Sequence, residues 1–284
     1  MNISIQNNFL KATINTKGAE LNSLVKIADG KEYIWEGNPA FWGKHSPVLF
    51  PIVGTLKDNC YFYENQKYEL PRHGFARDME FEVVQQTENE VTFSLKSSEL
   101  TLKNYPFSFE LQLTYSLTEN ELTIGYSVYN LNDAKMPFSI GAHPAFALPN
   151  EIENYSLSFE KQEDLKCYIL ENDLLSNTNY TISLENKELP ITTKLFEKDA
   201  LIFKELQSKS VSIIENGKAF LKVSFEDFKS LGIWSKVGAQ FVCIEPWLGY
   251  SDTTETSGKI TEKEAILILE PNKKHDCSFT IEIL

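Results

Sequence analysis

Residues 107–130 read FSFELQLTYSLTENELTIGYSVYN. Phe107, Phe109, Leu111, Leu113, Tyr115 and Leu117 occupy alternate positions, with mostly polar residues between them. After the break Thr118-Glu119-Asn120 the alternation resumes at Leu122, Ile124, Tyr126 and Val128. Successive side chains of an extended chain point to opposite faces, so each run has one apolar face and one wet face. Two such runs joined by a short polar break predict a long antiparallel hairpin. The same period returns in VTFSL (91–95), SLSF (156–159), FLKVSF (220–225) and SFTIEIL (278–284). Turn-forming stretches such as NTKG, IADGK, YENQK, ENGK and EPNKKHD separate such segments. Helical spacing is scarce. LFEKDALIFKEL (195–206) fits a turn or two of helix and a strand–loop–strand equally well. The expected fold class is all-β, an antiparallel sandwich or barrel. No linker, charge run or fixed-period repeat divides the chain, and PNEIE (149–153) reads as a loop, so one domain over 1–284 is expected.

Composition narrows the function. The chain has 284 residues, 42% apolar and 24% charged, with a net charge of −13. That balance predicts a folded globular protein and argues against nucleic-acid or anionic-membrane partners, which need basic surfaces. No apolar run approaches the length of a membrane span, and no basic-then-apolar leader opens the chain. Cys60, Cys167, Cys243 and Cys277 have no spacing typical of a zinc site, so no metal is expected. Reduced thiols and a cytoplasmic location follow as expectations. No glycine-rich phosphate loop and no G-x-S-x-G motif are present, and no cofactor is expected.

Three stretches resist a purely structural reading. LPRHGFARD (70–78) holds both of the chain's arginines, Arg72 and Arg77, although Lys and Arg together number 27. Arg offers a rigid planar fork of donors that Lys lacks. His73 lies between them, and on an extended chain it would share a face with Arg77. Pairing of both arginines with surface carboxylates is the plain alternative. FSIGAHPAFALP (138–149) sets His143 among small residues and before Pro144, which biases it toward extended backbone. A satisfied core histidine is the plain alternative there. FVCIEPWLGYSD (241–252) places Glu245 on the face shared by Phe241 and Cys243, on an otherwise apolar strand. Burying that carboxylate costs several kcal/mol unless it is paired or protonated. Pro246, having no N–H, is expected to end the strand or mark an edge. Trp247 beside the acid offers a flat apolar surface of the kind on which a sugar ring stacks. Together these stretches suit general acid–base chemistry on a small polar molecule.

The succession HSPVLFPIVGTLKDN (45–59), LPRHGFARD, IGAHPAF (140–146), KDALIF (198–203) and IEPWLGYSD (244–252) resembles the aldose 1-epimerases, the galactose mutarotase-like proteins, and most closely their LacX-like branch. Each motif alone is weak; five in this order are specific. The resemblance implies an antiparallel β-supersandwich with a sugar cleft on one sheet. It implies His143 as general acid, Glu245 as general base, His73 as a residue orienting sugar hydroxyls, and Asp199 as a binding carboxylate. The two proton-transfer groups are expected to face each other across a hollow the width of a pyranose. One departure stands out: Thr55 replaces the arginine common in FPIVGR, with Lys57, two residues on and on the same face of an extended strand, as a candidate substitute and Arg77 as the remaining guanidinium. The implied activity is mutarotation of a free hexose such as galactose or glucose, with a small sugar as partner. A hexose 6-phosphate substrate, a non-catalytic sugar-binding protein and a glycoside hydrolase are the alternatives.

Overall fold

The computed structural model describes residues 1–284. The predicted hairpin forms from Phe109–Thr118 and Glu121–Asn130, with Leu111 opposite Val128, Leu113 opposite Tyr126 and Tyr115 opposite Ile124. Every second residue of both strands is buried, as the alternation requires. Each fully buried Leu or Tyr of this kind contributes about 1.5–3 kcal/mol through removal of apolar area from water.

This hairpin is the centre of a nine-stranded antiparallel sheet in which Lys274–Ile283 flanks it on one side and Glu90–Lys96 on the other. A second, eight-stranded sheet runs in the order Leu174–Ser183, Asp164–Glu171, Leu201–Phe203, Ser230–Trp234, Phe241–Leu248, Ile140–Ala142, Val48–Leu49, and Ala145–Ala147 pairs on Phe241–Leu248 off this path. The N-terminal residues form a four-stranded sheet from Asn2–Gln6 to Lys31–Glu32. A single cluster of 66 buried residues joins Leu113, Ile124 and Ile281 of the nine-stranded sheet to Leu231, Val242 and Ile244 of the eight-stranded one. The molecule is therefore an antiparallel sandwich, as expected. The ambiguous segment 195–206 resolves into a short 3₁₀ turn, Thr193–Phe196, followed by the strand Leu201–Phe203. No helix of the structure is long and apolar enough to cross a membrane.

Phe241–Leu248 lies inside the eight-stranded sheet, and all eight of its residues are buried. Pro246 therefore neither ends the strand nor marks an edge, contrary to expectation. The cause is visible in the neighbouring ladder. Ile140–Ala142 and Ala145–Ala147 pair with this strand in one register, Gly141 opposite Trp247 and Ala145 opposite Cys243, with a gap between them. Continuing that register places Ala142 opposite Pro246, in the gap, where a missing N–H does least harm.

The loop after this strand is clamped by a buried ion pair. Lys263 Nζ donates to Asp252 Oδ1 at 3.1 Å and to the Tyr250 carbonyl at 2.6 Å, while Asp252 Oδ2 accepts the Lys57 N–H at 3.0 Å. Thr55 N–H reaches Ser251 Oγ at 3.0 Å, so residues 54–57 are tied to 250–252 at several points. Side chains of Lys263 and Asp252 are only 2% and 3% exposed. Removing one member of such a pair leaves an uncompensated buried charge. Lys263→Ala is expected to lower unfolding free energy by about 3–5 kcal/mol in denaturant titration. The more exposed Lys222–Glu282 pair, cut by Lys222→Ala, is expected to cost less than about 1 kcal/mol.

Candidate active site

The two faces of Phe241–Leu248 have different neighbours. Val242, Ile244 and Leu248 enter the main core, so Phe241, Cys243, Glu245 and Trp247 point to the outer face of the sheet. On one side of this strand the register sets Ser230 beside Trp247, Gly232 beside Glu245 and Trp234 beside Cys243. On the other side stand Gly141 beside Trp247 and Ala145 beside Cys243. The same register puts His143 directly opposite Glu245, where side chains of an antiparallel pair meet. His143 Nε2 lies 3.2 Å from Glu245 Oε2. Two strand alternations and one shared register thus bring together residues about a hundred positions apart.

Small residues make room for large ones on this floor. A Cβ on Gly232 would fall 2.5 Å from the Trp247 ring, and one on Gly141 would fall 2.7 Å from it. The indole occupies the space those side chains would need. It is 5% exposed and packs with Leu49, Val53, Ile202 and Tyr250, so it forms floor more than wall. Its N–H is buried with no hydrogen-bond partner.

Above this floor opens a cavity of about 640 Å³. His143, Glu245, His73, Arg77, Asp199 and Trp247 all line it. Of the seven residues singled out from sequence, only Lys57 does not. It sits in a 3₁₀ turn, Lys57–Asn59, and its ammonium goes to the Thr254 carbonyl at 3.2 Å. The extended strand assumed in proposing it as a substitute for the arginine missing at Thr55 is not formed. Thr55 itself contributes backbone bonds to the clamp, and its hydroxyl is buried without a partner. Cationic groups reach the cavity from elsewhere: Arg72, Arg77, Lys198 and Lys236.

His73 owes its place to strained backbone, not to an extended strand. Its φ is 67° and that of Gly74 is 70°; a Cβ on Gly74 would collide with the Phe50 carbonyl at 2.2 Å. His73 N–H donates to the Gly54 carbonyl at 2.8 Å, and Gly54 N–H returns a bond to His73 Nδ1 at 3.0 Å. With Nδ1 accepting, the proton of the neutral ring sits on Nε2. Burial, with His143 and the two arginines nearby, holds the His73 pKa well below the usual histidine range. The ring is therefore a neutral donor. Arg72 Nε also points at the ring, toward Nε2 at 3.4 Å, the longer of the two approaches to the imidazole, and Arg72 is held there by Asp173 at 3.1 Å. Both arginines pair with exposed carboxylates, as the plain alternative has it, and both also line the cavity. Arg77 gives one donor to the Arg72 carbonyl at 2.8 Å, and its Nε, without a hydrogen bond, lies 3.7 Å from Asp78 Oδ2.

Sequence reading missed the aromatic frame. Trp42 stacks on His143 with ring centroids 4.8 Å apart and planes 24° apart, and Trp234 meets the same ring edge-on at 5.9 Å. Trp234 was legible in principle, since it alternates with Gly232 on a strand facing the same way. Trp42 lies in an irregular segment with no period to place it. Asp199 adopts a φ of 109°, a strained value for a residue other than glycine, and accepts the Ala200 N–H at 2.7 Å.

The electrostatics of the pair are set by dryness. Burial pushes the Glu245 carboxyl well above its ordinary pKa; Arg72 pulls it back and Asp199 adds to the rise. Burial, with Arg72 and Arg77 near, draws His143 down to about 3. Both shifts favour the neutral form of each group. A proton passing between them across 3.2 Å would leave the net charge unchanged. Expectation and structure differ in one respect: the two groups stand side by side on one floor, not on opposite walls of a hollow. Such a pair can exchange protons with two oxygens carried on one carbon. Cys243 also lies close, its Sγ and the donor atoms of His143 and Glu245 all within 4.8 Å of one another.

Comparison with known proteins bears on the family and the fold. The family model for aldose 1-epimerase matches residues 1–267. The plasmid-encoded protein LacX of Lactococcus lactis subsp. lactis is 36% identical over 302 residues, covering all of both chains. Among solved structures, a galactose mutarotase related enzyme from Lactobacillus acidophilus superposes with a TM-score of 0.96 at 35% identity, over 100% of this chain and 97% of that one. A galactose mutarotase-like protein from Lactobacillus casei ATCC 334 does so with 0.92 at 29% identity, over 100% of both. Galactose 1-epimerase from Lactobacillus acidophilus NCFM, at 14% identity and a TM-score of 0.74 over 100% of this chain and 94% of that one, shares the fold. With the family model spanning most of its length and a full-length relative above 30% identity, this chain belongs to the aldose 1-epimerase family.

Proposed function

We propose that the chain interconverts the α and β anomers of a free aldohexose such as galactose or glucose by acid–base opening and closing of the ring. The observation that carries this reading is the close approach of His143 Nε2 and Glu245 Oε2, 3.2 Å apart, on the floor of an open cavity. In the proposed step the proton first passes from the Glu245 carboxyl to His143; from that imidazolium–carboxylate form Glu245 takes the proton of the C1 hydroxyl while His143 gives its own to the ring oxygen. The C1–O5 bond breaks and an aldehyde forms at C1. Rotation about C1–C2 presents the other carbonyl face, and closure reverses both transfers, restoring the starting proton. O1 and the ring oxygen share one carbon, so both lie within reach of adjacent groups on one side. His73, as a neutral donor, and Arg77 and Asp199 along the wall are assigned to the remaining hydroxyls. Trp247 offers a flat edge beneath the ring. The step needs no metal or nucleotide, and four unpaired thiols suit a cytoplasmic setting.

A hexose 6-phosphate is the second reading. Arg72, Arg77, Lys198 and Lys236 all border the cavity, a local reversal of the chain's overall negative charge. Rates on glucose and glucose 6-phosphate separate the two. If the free sugar is the substrate, Lys198→Ala/Lys236→Ala leaves its kcat/KM within about twofold; if the phosphate is, that variant loses kcat/KM on the phosphosugar alone.

Glu245→Gln and His143→Asn are each expected to lower kcat by about 10² to 10⁴, followed by polarimetry or NMR exchange between anomers. Unchanged rates would remove both assignments. The pH profile of kcat/KM is expected to be level through the ordinary histidine pKa of 6.5, because His143 gains a second proton only near pH about 3. Activity falls on the alkaline side, as the shared proton leaves the raised Glu245 carboxyl. A limb near 6.5 would contradict the assignment.

A further inference from the structure

Cys243 has no part in the acid–base reading, yet its thiol lies beside the pair. It precedes Glu245 by two residues on the same strand face, and His143 stands opposite Glu245 on the neighbouring ladder. Three residues with different donor atoms, sulfur, nitrogen and oxygen, thus converge within 4.8 Å. Sequence spacing gave no hint of this, because the histidine arrives by strand register and not by a short motif. From this convergence we propose that His143, Cys243 and Glu245 form a binding site for a thiophilic divalent cation, zinc or cadmium, whose occupation excludes the sugar.

Geometry supports the site, and the bound charges balance, although burial and Glu245 raise the Cys243 thiol pKa, so the cation must displace its proton. Zinc binds nitrogen at about 2.0–2.1 Å, carboxylate oxygen at about 2.0–2.2 Å and thiolate sulfur at about 2.3 Å, which at tetrahedral angles sets ligand atoms roughly 3.3–3.7 Å apart. His143 Nε2 and Glu245 Oε2, 3.2 Å apart, already have nearly that separation. The sulfur must close by about an ångström, within the reach of small side-chain rotations. Glu245 is 1% exposed, and the Oε2 atom that faces the imidazole is buried without a hydrogen bond. An orphaned buried acceptor of that kind is what a cation would satisfy. A thiolate and a carboxylate cancel the charge of a dication, so the bound unit is neutral in a dry site. Arg72 and Arg77 oppose a free dication but not such a unit. Three protein ligands leave a fourth position for solvent, as in zinc sites that remain open.

The test uses the full, untagged chain and does not depend on catalysis. Cadmium is added while the ultraviolet thiolate-to-cadmium charge-transfer band is recorded, and zinc affinity is measured by calorimetry. The proposal predicts one equivalent bound with the band present. In Cys243→Ala the band is lost and zinc binds at least ~10-fold more weakly, while Cys167→Ala, altering another buried thiol, keeps both. Should Cys243→Ala fail to fold, Glu245→Gln is expected to weaken zinc at least ~10-fold while keeping the cadmium band. No band in the wild type, or unchanged affinity in Cys243→Ala or Glu245→Gln, overturns the proposal. In a separate arm, zinc is expected to suppress anomer exchange and a chelator to restore it. That arm rests on the mutarotase reading. A protein that binds zinc through Cys243 but accelerates no sugar would sink the mutarotase reading and leave the metal site standing.

Discussion

One contact organises the site: a carboxyl on a buried strand and an imidazole from the break between the two short segments that pair with that strand. Strand register is all-or-none. A slip of one residue would turn Glu245 into the main core and bring Ile244 or Pro246 to the outer face. The apolar face of Phe241–Leu248 prevents that slip, because Val242, Ile244 and Leu248 are fixed in the core between the sheets. The sandwich thus supplies the precision that the pair requires, and the cost of burying two ionisable groups is met by the rest of the core.

Burial also decides what the pair can do. In water a glutamate and a histidine at neutral pH would carry separate charges or protons. On this floor both are driven toward neutrality. Trp42 and Trp234 pack against the imidazole, and Gly232, beside Glu245, leaves room that the Trp247 indole fills. The Gly54 and Gly74 turns, in backbone conformations that other residues adopt only with strain, fix His73 as a neutral donor nearby. The Lys263–Asp252 pair ties the loop after the Glu245 strand to residues 55–57, next to Gly54 and Ser251 of the cavity wall.

Much of this was legible in the sequence, for identifiable reasons. Period-two alternation located the hairpin at 109–130 and the buried face of Glu245, because strand periodicity is imposed by the pleat and survives in any context. The alternation in 241–248 failed only at Pro246, where a break in the neighbouring ladder, invisible in one strand's own sequence, removes the usual penalty. Lys57 was misplaced because an extended strand was assumed where the chain makes a 3₁₀ turn around Asp58, whose φ is 57°. Trp42 was missed since it belongs to no periodic segment. Arg72 was noticed as an oddity and not as a cavity residue: its hold on Asp173, at the tip of a distant hairpin, is a tertiary fact. Local rules found the strands; only pairing between strands found the site.

The central claim is that His143 and Glu245 act as one proton-sharing unit. A double-mutant cycle on anomer exchange tests it most directly, comparing Glu245→Gln, His143→Asn and the combined variant with the wild type. A unit loses its function when either half is removed, so the combined variant is predicted to be no slower than the slower single variant. Losses that multiply would contradict the account, since they would mean that the two groups contribute independently.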